Sequence, residues 1–176
     1  MRAFTSIDEI IGHLESLGRT PSAECDQFTE LDHGLQCAAV LATTAPDDIE
    51  LQVAGLLHDL AHQWDGPGQP RHGELGAAAV RPLLGERMAA LIAGHVDAKR
   101  YLVATRSAYE AHLSADSVMT LRAQGGAMSS HEVEAFEARP DWQAMVLLRE
   151  ADDDAKVPGA AVPGLGHWLG PLRSLA

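Results

Sequence analysis

Residues 53–64, Val53-Ala54-Gly55-Leu56-Leu57-His58-Asp59-Leu60-Ala61-His62-Gln63-Trp64, constrain this chain more than any other stretch. Three ionisable side chains are set in an otherwise apolar run that reads as helix, and a helix apolar on all sides belongs inside a protein. Burying His58, Asp59 and His62 is costly unless each is paired, hydrogen-bonded or bound to metal. Neighbours on a helix stand about 100° apart, so His58 and Asp59 can approach one centre from adjacent directions. His62, one turn on, shares the His58 side. An aspartate satisfying a buried histidine would look the same, so the rest of the chain must supply further ligands.

The flanking sequence is helical throughout. Ser6 caps a first helix running to about Leu17, with Asp8 and Glu9 where the macrodipole favours them. A second spans about 28–43 and carries His33, and Pro46 with Asp47 and Asp48 starts the third, which contains the opening stretch. After a loop at 65–70, helix resumes at His72, and Gly85 separates it from a longer helix over about 86–105 that holds His95 and Lys99. Ser114 caps a helix to Gln124, and Ser129 with Glu132 forms a capping box before Pro140. A last long helix covers about 141–156. The Gly- and Pro-rich tail, 157–176, is an extension with a short helix near His167 and Trp168. With no run of period-two alternation, the expectation is a single all-α domain over 1–176.

Composition narrows the function. The chain has 176 residues and a net charge of −12, which argues against nucleic-acid binding through a basic face while allowing a local basic pocket. Cys25 and Cys37 make no CxxC and read as buried free thiols. With no apolar h-region at the start and no 18-residue apolar run, the expected location is cytoplasmic, with no membrane partner.

Five separated groups are of metal-ligand type: His33, His58-Asp59, His72, His95 and Asp152, each among apolar or small residues. Any one of these histidines alone reads more readily as a core or surface histidine than as a ligand. Imidazole and carboxylate donors together suit iron, manganese or zinc, and the lack of Cys donors argues against a structural zinc site. One bridging carboxylate within six donors would hold two metals.

The order of these motifs resembles the HD-domain superfamily, specifically its mixed-valent di-iron oxygenases: the PhnZ-type phosphonate-cleaving enzymes and the related myo-inositol oxygenase. The resemblance covers about residues 27–156. It rests on Leu31-Asp32-His33-Gly34-Leu35-Gln36, His58-Asp59-Leu60-Ala61-His62, Arg71-His72-Gly73-Glu74, His95-Val96-Asp97-Ala98-Lys99, the Ser117–Gly126 segment and Leu148-Arg149-Glu150-Ala151-Asp152. It implies an HD-type helical bundle with a buried dinuclear site. In it His33, His58, Asp59 and Asp152 hold one iron, His72 and His95 hold the other, and Asp59 bridges. Asp152 matches the family ligand because it stands four residues before Lys156; Asp153 and Asp154 read as a solvated acidic helix end.

Around these ligands, Lys99 lies four residues after His95 and Arg149 three before Asp152, so each shares a face with a ligand. Ser117, Thr120 and Gln124 form one helical stripe. Cations and hydroxyls converging beside metals suit a phosphonate or phosphate. The resemblance assigns His62, Lys99, Ser117, Thr120 and Arg149 to the substrate phosphonate, with Lys99 and His62 nearest the chemistry. It implies an Fe(II)/Fe(III) pair, O2 as co-substrate, and C–P cleavage of a small 1-hydroxyphosphonate to phosphate and a carboxylic acid, glycine or a betaine for amino or methylated-ammonium substrates.

The chain departs from the family at two positions. Ala23 stands where the family has a tyrosine that closes an open iron position, and Asp26 where it has a glutamate that recognises the substrate's amino end. Asp26 is a shorter carboxylate for that role, and Glu24 is the other candidate. Two further readings fit the donors: an HD phosphohydrolase, in which metals activate water, and a non-catalytic metal- or anion-binding protein.

Overall fold

In a computed structural model, residues 3–22, 27–64 and 70–176 are described. Among them the chain is helical: α1 (Ile7–Leu17), α2 (Glu30–Thr44), α3 (Ile49–Leu57), α4 (His72–Thr105), α5 (Ala115–Ala123), α6 (Ser130–Glu137), α7 (Trp142–Asp154) and α8 (Leu165–Ser174), with one short 3-10 turn, Glu110–His112. No described helix is long and apolar enough to cross a membrane.

The helix starts follow their caps. The Ser6 side chain accepts from the Glu9 amide, and the Ser129–Glu132 capping box forms as expected. A second box, Thr29 with Asp32, starts α2 at Glu30, two residues later than the sequence suggests.

Helices α2, α3, α4 and α7 pack on one another, with α1 and α8 closing one side and α6 bracing α4 and α7. Their shared core includes Leu41, Leu51, Leu57, Met88, Leu91, Ile92 and Leu148, all essentially inaccessible to solvent. Cys37 is a buried free thiol within it, as expected; Cys25 lies outside the described residues.

Two backbone features position the centre of this bundle. A straight helix would hold His72 and His95 about 35 Å apart, at roughly 1.5 Å per residue. Instead α4 breaks at Gly85, whose φ of 84° and ψ of −178° are open essentially to glycine alone. The two arms fold back on each other, Gly73 lying against Ile92 and Val96. Likewise, a Cβ on Gly34 would sit 2.6 Å from the Leu56 carbonyl oxygen. Only glycine lets α2 approach α3 this closely, which brings His33 beside His58.

The opening stretch does not run as one helix. The α-helix ends at Leu57, and residues 58–64 form successive tight turns, with amide-to-carbonyl bonds three residues apart at Leu60, His62 and Trp64. Tightening to a three-residue repeat changes the fan of side chains relative to an α-helix. Asp59 thus points into the bundle centre while His62 turns toward α2.

Candidate metal centre

The bundle brings six ligand-type side chains to its centre. His33 comes from α2, His58 and Asp59 from the end of α3, His72 and His95 from the two arms of α4, and Asp152 from α7. They form two donor sets, each with ligand atoms within 4.8 Å of one another: His33, His58, Asp59 and Asp152, and Asp59, His72 and His95. Asp59 belongs to both. Its Oδ2 lies 3.2 Å from His58 Nε2 and 3.5 Å from His33 Nε2; its Oδ1 lies 3.3 Å from His72 Nε2 and 3.7 Å from His95 Nε2. Asp152 Oδ1 completes the first set, 3.1 Å from His33 Nε2.

The ring tautomers test whether a cation fits. The carbonyls of Ala155, Gly55 and Ile92 accept from the Nδ1 of His33, His58 and His95 at 2.8, 2.8 and 2.6 Å. A neutral ring that donates from Nδ1 carries its lone pair on Nε2. His33 Nε2 faces His58 Nε2 at 3.2 Å, and His72 Nε2 faces His95 Nε2 at 3.0 Å. Burial keeps His95 uncharged, helped by the adjacent His72 and His58 rings, so its pKa falls well below the usual histidine value. Asp59 Oδ1 is buried with no hydrogen-bond partner. Burial opposes charge on His33 and His58, but the Asp59 and Asp152 carboxylates overcome it and push both imidazoles up. This side of the site thus draws a cation, proton or metal, between rings and carboxylates, while the neutral His95 lone pair faces His72 beside the orphaned Asp59 Oδ1. The donors therefore fit metal ions, and the backbone carbonyls behind three of the rings fix their orientation as ligand-supporting groups do.

A cavity opens beside the donors, lined by His62, Lys99, Ser117, Thr120 and Arg149 together with His33, Asp59, His72, His95 and Asp152. Lys99 is buried and donates to Thr120 Oγ1 at 2.8 Å. Burial, with help from the Arg149 charge, lowers its pKa to about 8. Arg149 is equally buried; its Nη1 lies 2.7 Å from Asp152 Oδ2, and Asp153 and the Tyr109 hydroxyl hold the rest of its guanidinium. His62 Nδ1 lies 3.4 Å from Glu30 Oε1. Burial opposes its charge, but Asp59 and Glu30 overcome this and push the imidazole up to about 9.

Some expectations change. Gln124 is the C-cap of α5 and does not line the cavity; its side-chain oxygen and nitrogen are buried without hydrogen-bond partners. Asp153 is no solvated helix end: it is half-buried and bonds Arg149 and Tyr109. Glu24 and Asp26, with Ala23, lie outside the described residues. The cavity also includes residues the sequence reading did not assign: Ser22, Glu30, Asp116 and Lys156. Glu30 had a signal, standing three residues before His33 and so on its face of α2. Lys156 lies past the end of α7, 3.4 Å from Ser117 Oγ, and served in the sequence only to fix register.

No family model matches the chain. Among curated proteins, a hydroxymethylphosphonate dioxygenase from Gimesia maris is 36% identical over 164 residues, covering 85% of this chain and 78% of that protein. A 1-hydroxy-2-(trimethylamino)ethylphosphonate dioxygenase (glycine-betaine-forming) from Leisingera caerulea is 30% identical over 151 residues, covering 81% of this chain and 76% of that protein.

Proposed function

The chain belongs to the family of phosphonate dioxygenases, and on that premise we propose that it uses O2 to cleave the C–P bond of a small 1-hydroxyphosphonate. The products are phosphate and a carboxylic acid. The balance closes without another reductant: the carbinol C–H and C–P bonds break, the carbon becomes a carboxyl carbon, phosphorus takes a fourth oxygen, and O2 accepts four electrons.

One observation carries this reading: two donor sets share Asp59 directly beside a cavity walled by two buried cations, Lys99 and Arg149. His33, His58, Asp59 and Asp152 would hold one iron and His72 and His95 the second, with Asp59 between them. A mixed-valent iron pair supplies the redox chemistry with O2 that no side chain here can.

The chain's own residues bind and orient the substrate. Lys99 and Arg149 meet phosphonate oxygens with charge-assisted bonds, Ser117 adds a hydroxyl donor, and Thr120, whose own proton goes to the Ser117 carbonyl, contacts the group beside Lys99. Thr120 holds the Lys99 ammonium in place, while Asp153 and Tyr109 hold Arg149, so little side-chain freedom remains to be lost on binding. Nδ1 of His62 is tied to Glu30, which leaves its Nε2–H to contact the substrate. Burial of these cations keeps water from screening them.

Iron content and Mössbauer spectra of protein produced with iron test the proposal. Two irons per chain, with a signal perturbed by a hydroxyphosphonate, are expected. Fewer than one tightly bound metal per chain would contradict it.

A further inference from the structure

Between the Leu57 end of α3 and Trp64 the chain runs in tight turns, and Asp59, the carboxylate shared by both donor sets, sits in the first of them. Turns that repeat every three residues have poorer hydrogen bonds than an α-helix, so they hold a side chain less firmly. The amides reach back three residues: Leu60 to Leu57, His62 to Asp59 and Trp64 to Ala61. In an α-helix the Trp64 amide would take the Leu60 carbonyl instead. Here that carbonyl, on the residue after Asp59, accepts from another element: His13 Nε2 of α1 lies 2.7 Å from it. A carbonyl oxygen only accepts, so this ring nitrogen carries a proton.

The donor is itself well anchored. The ring centroids of Phe4 and Trp64 stand 5.7 and 5.1 Å from that of His13. Phe4 is buried and its amide bonds the Ala79 carbonyl, while Ile10 and Leu14 fix α1 in the core. Leu60 is buried as well, so without His13 its carbonyl must shift to find another partner. The consequence falls on Asp59. Its Oδ2 faces His33 and His58 while its Oδ1 faces His72 and His95, a bridging pose that tolerates little backbone rotation. If the carboxylate swings, the first donor set keeps His33, His58 and Asp152, but the second keeps only His72 and His95.

Resting on the two-iron reading, we propose that His13 is a positioning residue for the bridging carboxylate. Its N–H to the Leu60 carbonyl holds the turn so that Asp59 spans both metal positions, and the second iron depends on that bond. His13 does not line the metal cavity; it acts through the backbone beside Asp59.

The test titrates a chelator against iron-loaded wild type, His13→Leu, His13→Gln and Phe4→Leu, recording iron content, Mössbauer spectra and melting temperature. Wild type should hold two irons. His13→Leu keeps the bulk and removes the donor, so it should release one iron about tenfold more readily, at the low end of what loss of a ligand-supporting group costs. The spectrum of the coupled pair should decay with that iron while the other stays bound. His13→Gln restores an N–H donor and should return retention and spectrum to those of wild type. Phe4→Leu disturbs the same ring cluster without touching the bond, so it should lower the melting temperature and keep both irons. Unchanged retention in His13→Leu overturns the proposal, as do simultaneous loss of both irons, failure of His13→Gln to restore the second, or equal iron loss in Phe4→Leu. If His13→Leu does not fold, His13→Glu replaces it at neutral pH, matching Gln in shape but offering no donor. Equal retention by the Glu and Gln variants then overturns the proposal. Fewer than two irons in wild type overturns the two-iron reading, and this proposal with it.

Discussion

His72 Nε2 and His95 Nε2 face each other at 3.0 Å, although the two residues occupy the same hydrogen-bonded helical run. The contact exists because Gly85 turns the chain back between them. Its backbone lies in a region closed to residues with a Cβ, although a Cβ there would meet no atom within 4 Å. Gly85→Ala is therefore expected to cost about 1–3 kcal/mol through backbone strain alone. Denaturant unfolding measures this; a loss below about 0.5 kcal/mol would contradict it.

Asp59 is expected to be the residue on which both metal positions depend. Asp59→Ala should lose both irons, whereas His72→Ala should keep one. Metal analysis after gel filtration reads the difference, and retention of two irons by Asp59→Ala would remove the bridging role.

His62 should behave differently from its neighbours. It points to Glu30 and the cavity, so His62→Gln is expected to keep both irons and lower kcat/KM by about 10- to 100-fold, the loss of a charge-assisted contact. Iron loss in that variant would make it a ligand instead.

Much of this was legible in the sequence because burying a histidine or aspartate in an apolar helix leaves a visible mark. His33, His58, Asp59, His72 and His95 stand out that way, Asp152 is singled out from its acidic neighbours only by the family resemblance, and the structure brings all six together. The all-helical fold and most caps were legible for the same local reasons. Less visible was what depends on the chain's path. Neither Gly nor Pro marks the end of α3 at Leu57, where the chain tightens into three-residue turns. Gln124, although its amide still bonds the Thr120 carbonyl, lies away from the cavity wall that Ser117 and Thr120 share. Asp153 looked like surface because its partners Tyr109 and Arg149 are 44 and 4 residues away. Asp116 carries no motif of its own, and only the cavity relates it to Glu30.

The pH dependence follows from Lys99. Burial and the Arg149 charge lower its pKa to about 8, so the ammonium is present below that pH and lost above it. Since kcat/KM reports ionisations of the free enzyme, it should fall as pH rises through about 8. Lys99→Arg, which stays charged, should move that fall upward. A profile flat to pH 9.5 in wild type would contradict the role given to the ammonium.

Asp153 and Tyr109 position Arg149 without lining the cavity themselves. Asp153→Asn should raise KM for the phosphonate by roughly tenfold while leaving iron content intact, and Tyr109→Phe should do so more weakly. An effect confined to kcat, with KM untouched, would argue against a positioning role.

The account as a whole rests on oxygen-dependent C–P cleavage, and simultaneous recording of O2 uptake and phosphate release tests it most directly. With iron-loaded protein and 2-amino-1-hydroxyethylphosphonate, one phosphate should appear per O2 consumed, and release should stop when O2 is removed. Phosphate release that continues undiminished under anaerobic conditions would contradict it.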